Sequence, residues 1–228
     1  MNIAHSVIII TAAGSPLGKA LSLHFASLGA KLALVDERQH ALGQTLQACQ
    51  AIGAPCQSYL IPDQSERTIA TLINNIHQHF GKIEVLVNCW VDSALPSLLS
   101  PSSVDQFSRS MNEKATPFFT FGKQTAHYMR DHNCHGVIIN LAANEDCLHN
   151  SVHSGSKAIV SGLTQSWAKE LAEFNIRVGG VVPLTIECPC NNHHHKLSSP
   201  LQYEIARSAE YIVANDYFNG RMIEAEVS

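Results

Sequence analysis

The chain is poor in charge. Asp, Glu, Lys and Arg make up 15% of its 228 residues, against about 25% in an ordinary globular protein. Such a surface points to partial cover by a partner subunit. Basic excess is also missing: 15 Lys and Arg against 19 Asp and Glu leave a net charge of −4, which excludes the electrostatic footprint of a nucleic-acid binder. No apolar run reaches the roughly 18 residues that a membrane span needs. Met1-Asn-Ile-Ala-His carries no basic n-region and leads into a β-branched run, so no signal peptide is expected. The seven cysteines, at 49, 56, 89, 134, 147, 188 and 190, are odd in number and scattered. Reduced thiols and a cytoplasmic location are the expectation. The 13 histidines form no pattern as a set.

What the chain does have is alternation. Val7-Ile-Ile-Ile10 reads as a buried strand, and β-branched or apolar runs at 31–35, 56–60, 83–87, 137–141 and 176–182 read likewise, with a short last strand near 221–224. Between them lie stretches with apolar residues three and four apart. The first carries Leu17, Leu21, Phe25 and Leu28 before Gly29. Others follow at 39–52, at 65–80 before Gly81, at 104–111 and 118–131, over 151–174, and at 201–214. Strands joined by helices predict a doubly wound α/β fold: a parallel sheet of about seven strands, helices on both faces, right-handed crossovers, and one domain over 1–228. Such sheets bind ligands outside the C-terminal ends of their strands. Gly14, Gly18, Asp36, Asp63, Asn88, Ala143 and Pro183 fall at those ends.

The first of these ends is Thr11-Ala12-Ala13-Gly14-Ser15-Pro16-Leu17-Gly18. A helix N-terminus offers N–H groups and partial positive charge to a pyrophosphate, and small residues let the anion approach. Asp36 lies 18 residues past Gly18, the spacing of an acid that accepts ribose hydroxyls. There it favours NAD(H) over NADP(H), although Arg38 blurs the preference and a turn-starting Asp is the plainer alternative. Asp63 or Ser65 can cap the helix that follows the third strand.

With these residues in place, the chain resembles a short-chain dehydrogenase/reductase over its whole length. The family's Thr-Gly-x-x-x-Gly-x-Gly turn is matched at Thr11 and Gly18, with Ala12 and Pro16 in the other glycine places. The resemblance implies that Thr11, Ala12, Gly14, Ser15, Pro16, Leu17, Gly18, Asp36, Asp63, Asn88, Lys157 and Pro183 surround a nicotinamide dinucleotide. Of the family's Asn-Asn-Ala-Gly only Asn88 remains, in Asn88-Cys89-Trp90-Val91. Leu184 follows Pro183 where the family has Gly.

The resemblance also implies the chemistry, hydride exchange between nicotinamide and a carbonyl or alcohol. Lys157 stands at the family's Lys and Asn112 at its Asn. His153 occupies the place of the proton-transferring Tyr, and Ala143 that of the Ser that bonds the substrate oxygen. An imidazole can move protons near neutral pH, but Lys157 and an oxidised nicotinamide oppose imidazolium. His153 is thereby suited to act as a base in alcohol oxidation. Ala143 donates nothing. Two functions stay open: an oxidoreductase acting on a small molecule, or an impaired member serving as dinucleotide sensor, scaffold or partner subunit. The resemblance implies a homodimer or homotetramer paired through the helices near 118–131 and 151–174, and a substrate lid over 183–200. Within that lid, Cys188, Cys190 and His193 to His195 match no familiar zinc spacing. A polar loop is the expectation there, and no metal is assigned.

Overall fold

Val7–Ile10 (β1) lies at the centre of the sheet, and all four of its residues are fully buried. A β-branched run with no polar residue suits a strand covered on both faces. In the computed structural model, which describes residues 1–91, 99, 101, 103–143, 154–183 and 199–226, six further parallel strands complete its sheet. They are β2 (Lys31–Asp36), β3 (Cys56–Leu60), β4 (Val85–Val91), β5 (Val137–Ala143), β6 (Arg177–Pro183) and β7 (Met222–Ala225), in the order β3-β2-β1-β4-β5-β6-β7. The helices are α1 (Pro16–Ser27), α2 (Gln39–Ala51), α3 (Glu66–Phe80), α4 (Val104–Ser110), α5 (Thr116–Asp131), α6 (Ser154–Glu170) and α7 (Ser199–Ala214).

Each face of the sheet has its own core. Leu17, Leu21 and Phe25 of α1 join Leu42 of α2 and Ile205 and Ile212 of α7 on one side. Ile69 and Ile76 of α3, Phe118 and Met129 of α5, and Val160 and Trp167 of α6 fill the other. Each such side chain, once buried, contributes about 1.5–3 kcal/mol. Local signals set the helix ends. Ser15 caps α1 by accepting from the Gly18 N–H at 2.9 Å, and Pro16 sits in the first turn, where its missing N–H costs nothing. Ser65 caps α3, and Gly81, at φ 80°, ends it.

Several expected boundaries differ. β4 and β5 run on to Val91 and Ala143, in register as Asn88↔Asn140 through Val91↔Ala143. Polar Asn88 does not end β4, because its amide donates to the Phe118 carbonyl at 2.9 Å; Asn140, already inside the expected fifth strand, donates to the Thr164 hydroxyl at 3.1 Å. The helices near 104–111 and 118–131 form one continuous run through a π-helical turn, Met111–Ala115. The expected helix over 151–174 is Ser154–Glu170 followed by a 3-10 turn, Ala172–Phe174. Its first three residues lie outside the described part, as do 184–198 of the expected lid. Residues 199–200 already belong to α7, and Pro183 is the last residue of β6.

Candidate active site

The turn between β1 and α1 is pinched shut. A Cβ on Gly18 would meet the Ala12 carbonyl oxygen at 2.1 Å and one on Gly14 would meet the Ala41 Cβ at 2.9 Å. Ala12 itself takes φ 51°, a left-handed conformation that costs an L-residue about 1–2 kcal/mol. Thr11 ties the turn to β4: its hydroxyl accepts from the Cys89 N–H at 2.8 Å, and its own N–H donates to the Val87 carbonyl at 3.1 Å. Thr45 of α2 donates to the Ala13 carbonyl at 2.9 Å. Leu17 is buried in the core, so the turn's contribution to a ligand is backbone and helix N-terminus.

Asp36 closes β2 and is 4% exposed. Its Oδ2 accepts from the Gly14 N–H at 2.8 Å and from Arg38 Nη2 at 3.2 Å. Its Oδ1 accepts from the Arg38 N–H at 2.8 Å and from Arg38 Nε at 3.1 Å. A carboxylate offers about four lone-pair sites, so these four donors use them all. A ribose hydroxyl arriving at Asp36 would share its oxygens with Arg38 and Gly14.

A cavity of about 190 Å³ opens beside the turn. Ala12, Val35, Ile61 and Phe121 give it apolar walls, while Asn88, Cys89, Arg38, Gln64, Glu113 and Lys114 give it polar ones. Asn88 is 1% exposed, and its Oδ1 has no hydrogen-bond partner among the described residues. Asp63 does not line this cavity. Its Oδ1 accepts from the Ser65 N–H and the Thr68 hydroxyl, both at 2.8 Å, and these bonds hold the carboxyl below its ordinary pKa. Of its two sequence readings, the cap is the one the geometry carries. Asn112 is exposed on the π-helical turn and lines an adjoining groove of about 400 Å³ with Glu37 and Gln64. The cavity wall from that turn is Glu113 and Lys114.

Lys157 lies in the first turn of α6, and its Nζ donates to the Pro183 carbonyl at 2.7 Å. Burial pulls its pKa down, and the Glu224 carboxylate partly opposes this. Ala143, the last residue of β5, carries no hydroxyl. His153, Leu184, Cys188, Cys190 and His193 to His195 lie outside the described residues. Among those described, no group of three His, Cys, Asp or Glu could hold a metal ion, and no helix is long and apolar enough to cross a membrane. Cys89, Gln64, Glu113 and Lys114 were missed as cavity residues from sequence. Only their positions, at or just beyond strand ends or in the turn leading into α5, could have signalled them.

A parallel sheet in this strand order, with a glycine-pinched turn before α1 and a cavity over the strand ends, defines the Rossmann-type class of doubly wound proteins. The short chain dehydrogenase family model matches residues 6–197, and the chain belongs to that family of oxidoreductases. The 3-oxoacyl-(acyl-carrier-protein) reductase of Thermotoga maritima is 29% identical over 192 residues, covering 83% of this chain and 77% of the relative. The 7alpha-hydroxysteroid dehydrogenase of Escherichia coli K12 is 29% identical over 178 residues, covering 77% and 69%. Among solved structures, a short-chain type dehydrogenase/reductase from Mycobacterium marinum superposes with a TM-score of 0.84 at 21% identity, over 99% of this chain and 95% of the other. A 7 alpha-hydroxysteroid dehydrogenase complexed with NADH gives 0.79 at 23%, over 100% and 95%. At these identities the superpositions speak for the fold.

Proposed function

We propose that this chain is a nicotinamide-dinucleotide-dependent oxidoreductase that acts on the carbonyl or alcohol of a small molecule. The observation that carries the reading is the anchoring of Lys157. A half-buried ammonium is fixed on the Pro183 carbonyl at the C-terminal end of β6, the end of the sheet at which the nucleotide cavity also opens.

The residues fit the adenosine half of such a cofactor. Val35 and Ile61 supply apolar walls for a base, and Asn88 Oδ1 is a buried acceptor without a partner among the described residues. The α1 N-terminus brings positive potential towards a pyrophosphate. A nicotinamide held there would supply the hydride chemistry. Lys157 keeps positive charge beside the reacting centre, and His153 exchanges the proton of the substrate oxygen with solvent. Ala143 leaves that oxygen one donor short, and loss of one such donor costs about 10²–10³ in rate. Low turnover is therefore expected.

Asp36 and Arg38 set the choice of cofactor together. With its acceptor sites filled by Arg38 and Gly14, Asp36 no longer argues for NAD(H) alone, and the half-exposed guanidinium tolerates a ribose phosphate. Acceptance of both NAD(H) and NADP(H) is the reading we adopt. Helices α5 and α6 pair subunits in it, through Phe119, which is 46% exposed and lies edge-on to Trp167.

A second reading, a dinucleotide-binding member without turnover, draws support from Ala143 and from the strained Ala12. Fluorescence titration with NADH and NADPH, followed by turnover assays over ketones, aldehydes and alcohols, separates the two. Turnover lost in His153→Ala supports the oxidoreductase. Binding without turnover, with activity gained in the double variant Ala143→Ser, His153→Tyr, supports the second reading. Failure of both nucleotides to bind at millimolar concentration would refute both.

A further inference from the structure

We propose that Glu224 is a positioning residue for Lys157: from the last strand of the sheet, its carboxylate holds the ammonium in the charged form. The inference rests on the oxidoreductase reading for its part in catalysis, but its test reads Lys157 in the chain without nucleotide.

The strand register carries it. β7 pairs with β6 as Val182↔Glu224 and Pro183↔Ala225, and Lys157 Nζ is fixed on the Pro183 carbonyl at 2.7 Å. Neighbouring strands lie about 4.8 Å apart, and successive side chains alternate between the two faces. Met222 packs against the core that holds Val160 and Trp167 of α6, whereas Ile223 packs against the core of α1 and α7. Glu224, two residues after Met222, therefore belongs to the face that α6 covers, one strand away from the carbonyl that holds the ammonium. It is exposed and forms no ion pair among the described residues, so it acts on Lys157 through space. The other described charges near these elements lie elsewhere. β5 has none, and Arg177 of β6 is at the opposite end of its strand. Lys169 and Glu170 are in the last turn of α6 and Glu173 lies beyond it. Lys123 of α5 is paired with Glu66. Arg221 precedes β7 and Glu226 follows it. Burial pushes the Lys157 ammonium towards its neutral form, and the Glu224 carboxylate opposes this. An oxidised nicotinamide is a second cation and would add to the burial effect. Glu224 thus keeps charge on Lys157 where two influences would remove it.

The test is trace acylation of lysines with an amine-reactive ester, followed from pH 7 to 11 and read by peptide mass spectrometry. Only the neutral amine reacts. Lys169, exposed at the far end of α6, serves as internal reference. At low salt and pH 8, Lys157 should be acylated about threefold faster in Glu224→Gln than in the wild-type chain, the effect of one nearby unit charge in a water-like dielectric. The difference should close at alkaline pH, where both amines are neutral. It should also close in 1 M NaCl, where screening acts within about 3 Å. Glu224→Asp should stay near the wild type, and so should Glu226→Gln. Equal rates in wild type and Glu224→Gln would overturn the assignment and leave the oxidoreductase reading standing. A difference that persists in 1 M NaCl, or an Asp variant that matches the Gln variant, would assign the effect to packing and overturn it as well. If the rates shift as expected but neither NADH nor NADPH binds, the charge pairing stands and the part in catalysis falls with that reading.

Discussion

Ala12 stands where the family keeps a glycine, and its backbone still takes the conformation that glycine favours, φ 51°. Replacing it removes a left-handed penalty of about 1–2 kcal/mol and adds unfolded-chain entropy worth about 0.4–1 kcal/mol. Ala12→Gly should therefore stabilise the protein by about 0.5–1 kcal/mol, seen as a higher urea midpoint at constant m. Arg38 is the second residue-scale lever. Arg38→Ala returns acceptor sites to Asp36, so NADH affinity should rise and NADPH affinity fall, with their ratio moving by at least about tenfold. A ratio unmoved by the change would show that Asp36 stays engaged by other groups. Cys49 gives a pH signature. Burial, with the nearby Cys56, pushes its thiol from an ordinary 9.0 to about 12. Between those values the unfolded chain has released a proton that the folded chain keeps, so stability falls as pH rises above about 9. Denaturant midpoints at pH 8, 9 and 10 should show that decline, and Cys49→Ala should lessen it.

At the scale of elements, most of the sheet was legible because its strands are apolar runs closed by turn residues. β1 and β3 have the bounds that the residues predict, and Gly29 and Gly81 follow α1 and α3 as expected. Sequence patterning failed where tertiary partners override polarity. Asn88 looks like a strand end, yet it is held inside the sheet by the Phe118 carbonyl of α5, as Asn140 is by the Thr164 hydroxyl of α6. The π-helical turn at Met111–Ala115 leaves no trace in apolar spacing, because none of its residues is buried. Glu113 and Lys114 of this turn line both the cavity and the neighbouring groove, while Asn112 lines the groove alone. Asp36 was legible as a position but not as a chemical state, since only three-dimensional contacts reveal that its acceptors are filled. The approach of the turn to α1 leaves no room for a side chain. Gly18→Ala should cost about 3 kcal/mol, because the atom it strikes is the Ala12 backbone carbonyl rather than a yielding side chain. Thermal unfolding of the variant checks this.

For the whole molecule, the low charge noted in the sequence meets an exposed Phe119 beside Trp167 on the face of α5 and α6. Gly122 lets those helices close, since a Cβ there would lie 2.5 Å from the Trp167 ring. If this face joins subunits, Phe119→Glu should halve the molar mass measured by light scattering while leaving the melting profile of the monomer cooperative. An unchanged mass would place the contact elsewhere or show that the chain is monomeric already.

The strand order has a consequence for biosynthesis. β1 is made first, β2 and β3 extend the sheet on one flank, and β4 to β7 then extend it on the other, each beside the strand that preceded it or beside β1. No later strand must wedge between two that are already joined. As the polypeptide leaves the ribosome, every new segment meets a ready-made border, and a half-finished sheet from β3 to β4 can form around the turn between β1 and α1 before α5 and α6 emerge. The growing chain thus completes the turn between β1 and α1 before it makes the helix that carries Lys157.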